Sequence, residues 1–395
     1  MHSQVLGFLQ WTKARYPVLL AGGRVLECGA YDVNGSARSL FQAAEYVGLD
    51  WRAGPGVDVV GLAHEYQAAP FDVVVSTEML EHDPHWRDSL ANMVHLLRPG
   101  GSLILTCAAP GRGAHEVDCA PEDGYYHGLS VADVVGALGA TNFEHIHSES
   151  HSSPSDSYVL AFRRLPEAWQ PRVSVIVPAV GNVDLTKRCI DSLWASARLP
   201  LQVILIDNGS LPENSDALAE FNTSIHLRYD RMLGYPAAVN RGIEVAGGEY
   251  VCLLNNDTEM MTDGWDERLI KTLHDADAAI VSPVTDFIAN PPQHVDAASD
   301  GVAEAGMLFF VCVLMRRDLF AQVGMLDEQF GLGNSEDIEF SYRVRAAGSK
   351  LVIEPSVFVH HAGHGTFRRL QPNMFQELLR RNKALLEDKV RRLYE

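Results

Sequence analysis

The sequence has no apolar run approaching the roughly 20 residues that a membrane-spanning helix needs, which excludes a hydropathy-defined transmembrane segment. Its first residues, Met1-His2-Ser3-Gln4, lack a basic segment leading into a long apolar one, so the expected location is cytoplasmic. Positive charge is scarce: 32 Lys and Arg stand against 51 Asp and Glu, for a net charge of −19. That balance counts against loose binding to a phosphate backbone or an anionic membrane surface, while leaving room for a local basic groove. Cysteine is sparse and scattered. Cys28, Cys107, Cys119, Cys189, Cys252 and Cys312 form no CxxC pair, and several lie in apolar, strand-like runs, so they read as buried free thiols in a reducing compartment. A glycine-rich dinucleotide loop is also missing where one belongs. The turn after the first strand is Ala30-Tyr31-Asp32-Val33-Asn34-Gly35, and a pyrophosphate needs closer glycine approach at a helix N-terminus.

At 395 residues, 47% hydrophobic and 21% charged, the chain is expected to be a soluble globular protein of two domains plus an extension. Residues 166–172, with two prolines and no periodicity, read as a linker between a first domain (1–165) and a second (173–370). A helix is predicted over 371–395, where Leu378, Leu379, Leu385, Leu386 and Val390 recur at near-helical spacing. Packing on its own domain is its plainest role, and contact with a second copy in a homo-oligomer is the alternative.

In the first half, Arg24–Gly29, Val47–Asp50, Phe71–Val75 and Ser102–Cys107 read as strands of a parallel, doubly wound α/β sheet. Asp50 lies 23 positions after Glu27 at a second strand tip, a spacing suited to holding a ribose diol. A helix from about Trp86 ends at Arg98-Pro99-Gly100-Gly101. The segments Val25–Gly29, Gly48–Asp50, Phe71–Val74, Glu78-Met79-Leu80-Glu81-His82 and Leu97–Gly101 together resemble the class I S-adenosylmethionine-dependent methyltransferases, over roughly the first 165 positions. The resemblance implies S-adenosyl-L-methionine as cofactor. Glu27 and Gly29 would border its methionine part, Asp50 would hold its ribose, and Gly61 to His64 would flank adenine, with Glu78 among the contacts. His82 and His115 are candidate bases for a hydroxyl acceptor. The histidines at 145, 147 and 151 sit on alternating strand positions and a polar turn (148–157), and are expected to be exposed without a zinc site.

In the second half an apolar strand, Tyr250–Leu254, runs into Asn255-Asn256-Asp257-Thr258-Glu259. A carboxylate at a strand rim can bind a hard divalent cation, and a cation there can hold a diphosphate; taken alone, a simple Asn/Asp turn is the commoner fate. The wider pattern decides between them. Val175-Ile176-Val177-Pro178, Ile206-Asp207-Asn208-Gly209-Ser210, Leu233–Gly242, Leu254–Glu259 and Asn334–Phe340 resemble, in order and spacing, the GT-A inverting glycosyltransferases, closest to rhamnosyltransferase-like members. By that resemblance Asp207 would bind the nucleotide, and Pro178, Asn240, Asn255, Asn256 and Glu336 would join the donor site. Asp257, with His361 from the late histidine loop, would bind Mn2+ or Mg2+ on the diphosphate; His360 and His364 stay open as alternatives. Asp337 would be the base that takes the acceptor hydroxyl's proton. The stretches 306–310 and 330–333 would shape the sugar and acceptor pocket.

The combined expectation is a bifunctional enzyme that moves a sugar from a nucleotide-sugar donor to an acceptor hydroxyl with inversion, and a methyl group to the same or a related glycan. A glycosyltransferase whose first domain binds cofactor without turnover is the second expectation. A modified nucleic-acid base as acceptor is the third, and the negative charge counts against it.

Overall fold

Two sets of parallel strands, each flanked by its own helices, account for most of the buried apolar residues in the computed structural model. They belong to separate compact units, Met1–Ala168 and Trp169–Glu395. The structure describes residues 3–20, 23–33, 35–43, 45–113, 125–139, 142–152, 155–163, 171–297, 299–363 and 372–394. His115, His364 and most of the expected linker lie outside them.

The first unit opens with helix α1 (Ser3–Arg15), followed by strands β1 (Arg24–Cys28), β2 (Glu45–Asp50), β3 (Val59–Val60) and β4 (Phe71–Thr77). Helix α2 (Trp86–Leu96), strand β5 (Leu97–Ala108), helix α3 (Val131–Leu138) and strands β6 (Phe143–Ser152) and β7 (Ser155–Arg163) complete it. The strand order is β3-β2-β1-β4-β5-β7-β6, parallel from β3 through β5, with β7 antiparallel to both of its neighbours. One expectation changes in detail. Between β1 and β2 the described chain forms only a 3-10 turn at Ala37–Leu40, capped by Ser36, where alternation predicts a helix. The polar hairpin is also tighter than expected, because β6 runs on to Ser152 and β7 begins at Ser155. His147 is therefore buried, not exposed: it stacks on Trp11 at 4.5 Å and meets Glu149 at 3.1 Å.

In the second unit β8 (Val173–Ala179), α4 (Val183–Ser196), β9 (Leu201–Asn208), α5 (Pro212–Ala219), β10 (Ile225–Tyr229), α6 (Tyr235–Glu244) and β11 (Tyr250–Leu254) alternate. Then come β12 (Thr258–Met260), α7 (Trp265–Asp275), β13 (Ala278–Thr285), β14 (Ala303–Glu304), β15 (Cys312–Arg316), α8 (Leu319–Val323), α9 (Glu336–Ala346), β16 (Lys350–His361) and α10 (Pro372–Tyr394). The order is β12-β16-β13-β15-β11-β8-β9-β10, with β14 against β16. The strands β8 to β11 are mutually parallel and β15 runs antiparallel between β11 and β13. The central strands are buried on both faces and read as continuous apolar runs, as parallel sheets require.

Both units reverse strand order beside their first strand. The chain steps from β1 to β2 and β3 on one side, then crosses to β4; it steps from β8 to β9 and β10, then crosses to β11. Crevices at carboxyl ends beside such a reversal are where open α/β sheets bind ligands. The five described cysteines are buried and free, and no described helix is long and apolar enough to cross a membrane.

Candidate active site

In the second unit a cleft of about 730 Å³ opens at the carboxyl ends of β8, β9 and β11. Pro178, Asn255, Asn256 and Asp257 line it from the strand ends, Glu336 and Asp337 from the start of α9, and His361 from the end of β16. Residues far apart in sequence thus share one wall because three parallel strands end side by side.

Asp257 and His361 face each other, with His361 Nε2 at 3.3 Å from Asp257 Oδ1. The other ring nitrogen, Nδ1, lies 2.6 Å from the carbonyl oxygen of Phe287. A carbonyl only accepts, so Nδ1 carries the proton and Nε2 is the atom turned to the carboxylate. Burial alone would lower the His361 pKa, but the hydrogen bond and charge of Asp257 outweigh it and raise the pKa above 6.5. Asp286 fixes the strand end behind this pair, accepting from the His361 amide at 2.9 Å and meeting His360 Nδ1 at 2.6 Å. That leaves His360 on Asp286 and makes His361 the cleft histidine among the described residues. The carboxylate and the oriented imidazole suit a divalent cation, and among the described residues no group of three ligating side chains converges. A cation here would complete its shell from donor phosphates and water.

Asp337 sits one residue into α9. Its Oδ1 accepts from the Ile338 amide at 2.8 Å and its Oδ2 from the Phe310 amide at 3.4 Å. The helix N-terminus favours a carboxylate there, yet burial wins and raises its pKa. Glu336 is buried deeper, with no partner for Oε2 among the described residues. Burial first, and then the Asp337 charge, raise its pKa as well. Immediately before them Asn334 and Ser335 both adopt φ of +81°, a left-handed conformation that costs non-glycine residues on the order of 1–3 kcal/mol each.

Two expected donor residues do not reach the cleft. Asn240, on α6, spends its amide on the loop beyond α8: Nδ2 donates to Leu326 O and Glu328 Oε1 at 2.9 Å each, and Oδ1 accepts from the Leu326 amide at 3.1 Å. Asp207 is fully buried, accepting from the Ser210 amide at 3.0 Å and from the Ser215 hydroxyl, and so shapes the turn after β9. Its neighbour Asn208 lines the cleft instead, and its Oδ1 accepts from the Leu233 amide at 2.7 Å. Asn256 lines the cleft with its amide donated to Thr186 Oγ1 at 2.8 Å. Of the expected pocket-shaping stretches, Phe309 and Phe310 form walls, whereas Phe330 is buried beneath. Sequence reasoning missed Asp286 and Phe287, although an acid ending the apolar strand β13 repeats the pattern that marks Asp257.

Gly234, at φ +95° before α6, lets the backbone pass against Gly331; a Cβ there would collide with the Gly331 carbonyl. Gly234→Ala is therefore expected to destabilise the fold by more than about 1 kcal/mol, read as a lower chemical-denaturation midpoint, and an unchanged midpoint would disprove this packing.

In the first unit Glu27, Gly29, Asp50 and Glu78 stand at the carboxyl ends of β1, β2 and β4. Asp50 Oδ2 accepts from the Tyr31 amide at 3.1 Å and Oδ1 from the Arg52 amide at 3.2 Å. These amides hold the carboxylate at the strand tip. Glu27 accepts from Tyr46 Oη at 3.0 Å, and burial raises the pKa of both carboxyls. Gly29, at φ +80°, admits Met79, whose Cβ would lie 2.6 Å from an added Cβ. Gly61 donates its amide to the Asp50 carbonyl at 2.8 Å, which brings the segment leading to His64 beside the β2 tip. The His64 ring lies 4.6 Å from that of His85. Glu78 is turned to Arg112 at 2.8 Å, so its carboxylate is engaged within the protein. His82 is buried beside the Tyr126 ring.

Each half of the chain matches a known family model. Residues 174–323 match the model of glycosyl transferase family 2, and residues 25–105 match that of a methyltransferase domain. The chain carries a methyltransferase domain followed by a family 2 glycosyltransferase domain. It is 27% identical over 264 residues to the O-antigen biosynthesis protein RfbC of Myxococcus xanthus, covering 59% of this chain and 21% of that one. It is 28% identical over 206 residues to the pre-mycofactocin glycosyltransferase of Mycobacterium tuberculosis, covering 48% and 42%. The chain thus spans less than half the length of these curated relatives. Among solved structures it is similar to the mannosyltransferase PcManGT from Pyrobaculum calidifontis in complex with GDP-Man and Mn2+, at 18% identity, TM-score 0.42, and coverage of 57% and 74%.

Proposed function

We propose that the glycosyltransferase domain moves a sugar from a nucleotide-sugar donor to an acceptor hydroxyl with inversion, and that the methyltransferase domain methylates the same or a related glycan using S-adenosyl-L-methionine. The observation that carries the first part is the meeting of Asp257, His361 and Asp337 around one cleft at the strand ends. Asp257 and His361 would hold Mn2+ or Mg2+, which supplies positive charge against the leaving diphosphate. Asn208 and Pro178 border the donor side of the cleft, and Asp337 takes the acceptor proton in an in-line displacement. Hydrolysis of a panel of sugar nucleotides with Mn2+ identifies the donor. No hydrolysis of any of them would count against transfer.

The second part rests on the family match over 25–105 and on the Asp50 geometry. Calorimetry with S-adenosyl-L-methionine should show binding that Asp50→Ala weakens by about 10-fold or more, the loss of two charge-assisted hydrogen bonds. Equal affinity in the variant removes Asp50 from the cofactor site. With both donors present, radiolabelled methyl groups should enter the glycosylated product; if they never do, the two activities are not coupled.

A further inference from the structure

Resting on the assignment of Asp337 as base, we propose that helix α10 is a positioning element for that base, acting through Asn382 on the loop that delivers it. Asn382 is fully buried on α10. Its Nδ2 faces three backbone carbonyls, of Phe330 and Gly333 at 2.9 Å and of Asn334 at 3.0 Å. Its Oδ1 has no partner among the described residues, and a flipped amide would set oxygen against three carbonyl oxygens, so the orientation is fixed by its donors. Arg381 Nη2 donates to the Gln329 carbonyl at 2.8 Å, and two turns further along α10 Lys389 pairs with Asp327. From the opposite side Asn240 holds Leu326 and Glu328 of the same loop.

The loop needs such a clamp because of its shape. Gly331, Gly333, Asn334 and Ser335 all have positive φ, and the last two lead directly into Glu336 and Asp337. Strained backbone persists only where its surroundings over-determine it. Asn382 bonds the carbonyl of Asn334, three residues before Asp337, whose carboxylate touches no part of α10 in any hydrogen bond among the described residues. Asn382 thus acts on the base through the loop and would touch no substrate.

The test uses the full chain with Asn382→Leu, which keeps bulk and removes the donors. With the donor found by the hydrolysis screen, kcat should fall by about 100-fold, the cost of a base displaced by about an ångström. Donor KM and Mn2+ affinity should stay within about 3-fold, because the cation corner on Asp257 and His361 is untouched. Amide exchange over residues 333–337 should accelerate. Wild-type kcat and exchange in Asn382→Leu, beside an inactive Asp337→Asn, would overturn the clamp while leaving the base in place. An active Asp337→Asn would overturn the base assignment instead, and the exchange data would still judge the clamp. If Asn382→Leu does not fold, Lys389→Met at the far end of the contact carries the same kcat-against-KM split; an unchanged kcat there overturns the proposal.

Discussion

Asp337→Asn is expected to cut kcat for sugar transfer by about 10²–10⁴-fold, the usual worth of a general base, while donor KM and Mn2+ affinity hold within a few-fold. The asparagine keeps the shape, and its one acceptor oxygen can still take the closer Ile338 amide, so loss of rate with retained donor binding points to proton removal. The pH profile supplies a second check. Burial raises the Asp337 pKa above its ordinary 3.8, and Glu336, raised by burial and by the Asp337 charge, competes for the same negative charge. The base works only when ionised. Rate should therefore be present above the raised pKa and fall as pH drops through it, at a higher pH than an exposed carboxylate would set. Glu336 keeps its proton to a higher pH, so Asp337 ionises beside a neutral neighbour and Glu336→Gln should leave that limb nearly in place. Stability follows the same linkage: the folded pKa of Glu336 stands above 4.5, so the fold loses stability as pH climbs from the unfolded value through the raised one. A limb that Glu336→Gln moves down by more than about one pH unit would show Glu336 charged while Asp337 titrates and disprove this order of ionisation.

The elements that could be read from the sequence are those with a local period. Apolar runs ending in an acid mark β1, β2, β9 and β11, and they place Asp50 and Asp257 at strand tips. What escaped has no local signature. Phe287 meets His361 across 74 positions, and Asn382 reaches Asn334 across 48; such pairings follow from sheet order and from a helix folding back, which no window of the sequence contains. Asn240 shows the converse. Its motif context marks it as a donor ligand, but α6 runs from Tyr235 to Glu244 and presents Asn240 to the loop at Leu326. Asp207 was found as a strand-end acid, yet its carboxylate is used up by Ser210 and Ser215. A strand-end acid marks the crevice; only the partners of its oxygens say whether it faces the ligand.

If Asp257 holds the proposed cation, Asp257→Asn is expected to weaken Mn2+ binding by more than about 100-fold and to lower transfer by about 10²–10³-fold or more, because it removes the carboxylate proposed as ligand. The proposed metal binding should also depend on pH, in a direction set by His361. With Nδ1–H committed to the Phe287 carbonyl, the Nε2 that lies 3.3 Å from Asp257 must lose its proton before it can bind a cation. Its pKa in the metal-free protein is raised above 6.5, so that proton is held to a higher pH than in a free imidazole. Mn2+ affinity should be full above the raised pKa and decline as pH falls through it, approaching about tenfold per pH unit for one displaced proton. His361→Gln removes the titrating group, so its affinity should be lower at alkaline pH and nearly flat with pH across the same window. A wild-type affinity that does not change from pH 8 to about pH 5.5 would leave Asp257 to bind the cation without His361. Chelation should abolish transfer at every pH, and restoring Mn2+ should recover it most completely where His361 is neutral, since the cation and the proton compete for the same nitrogen.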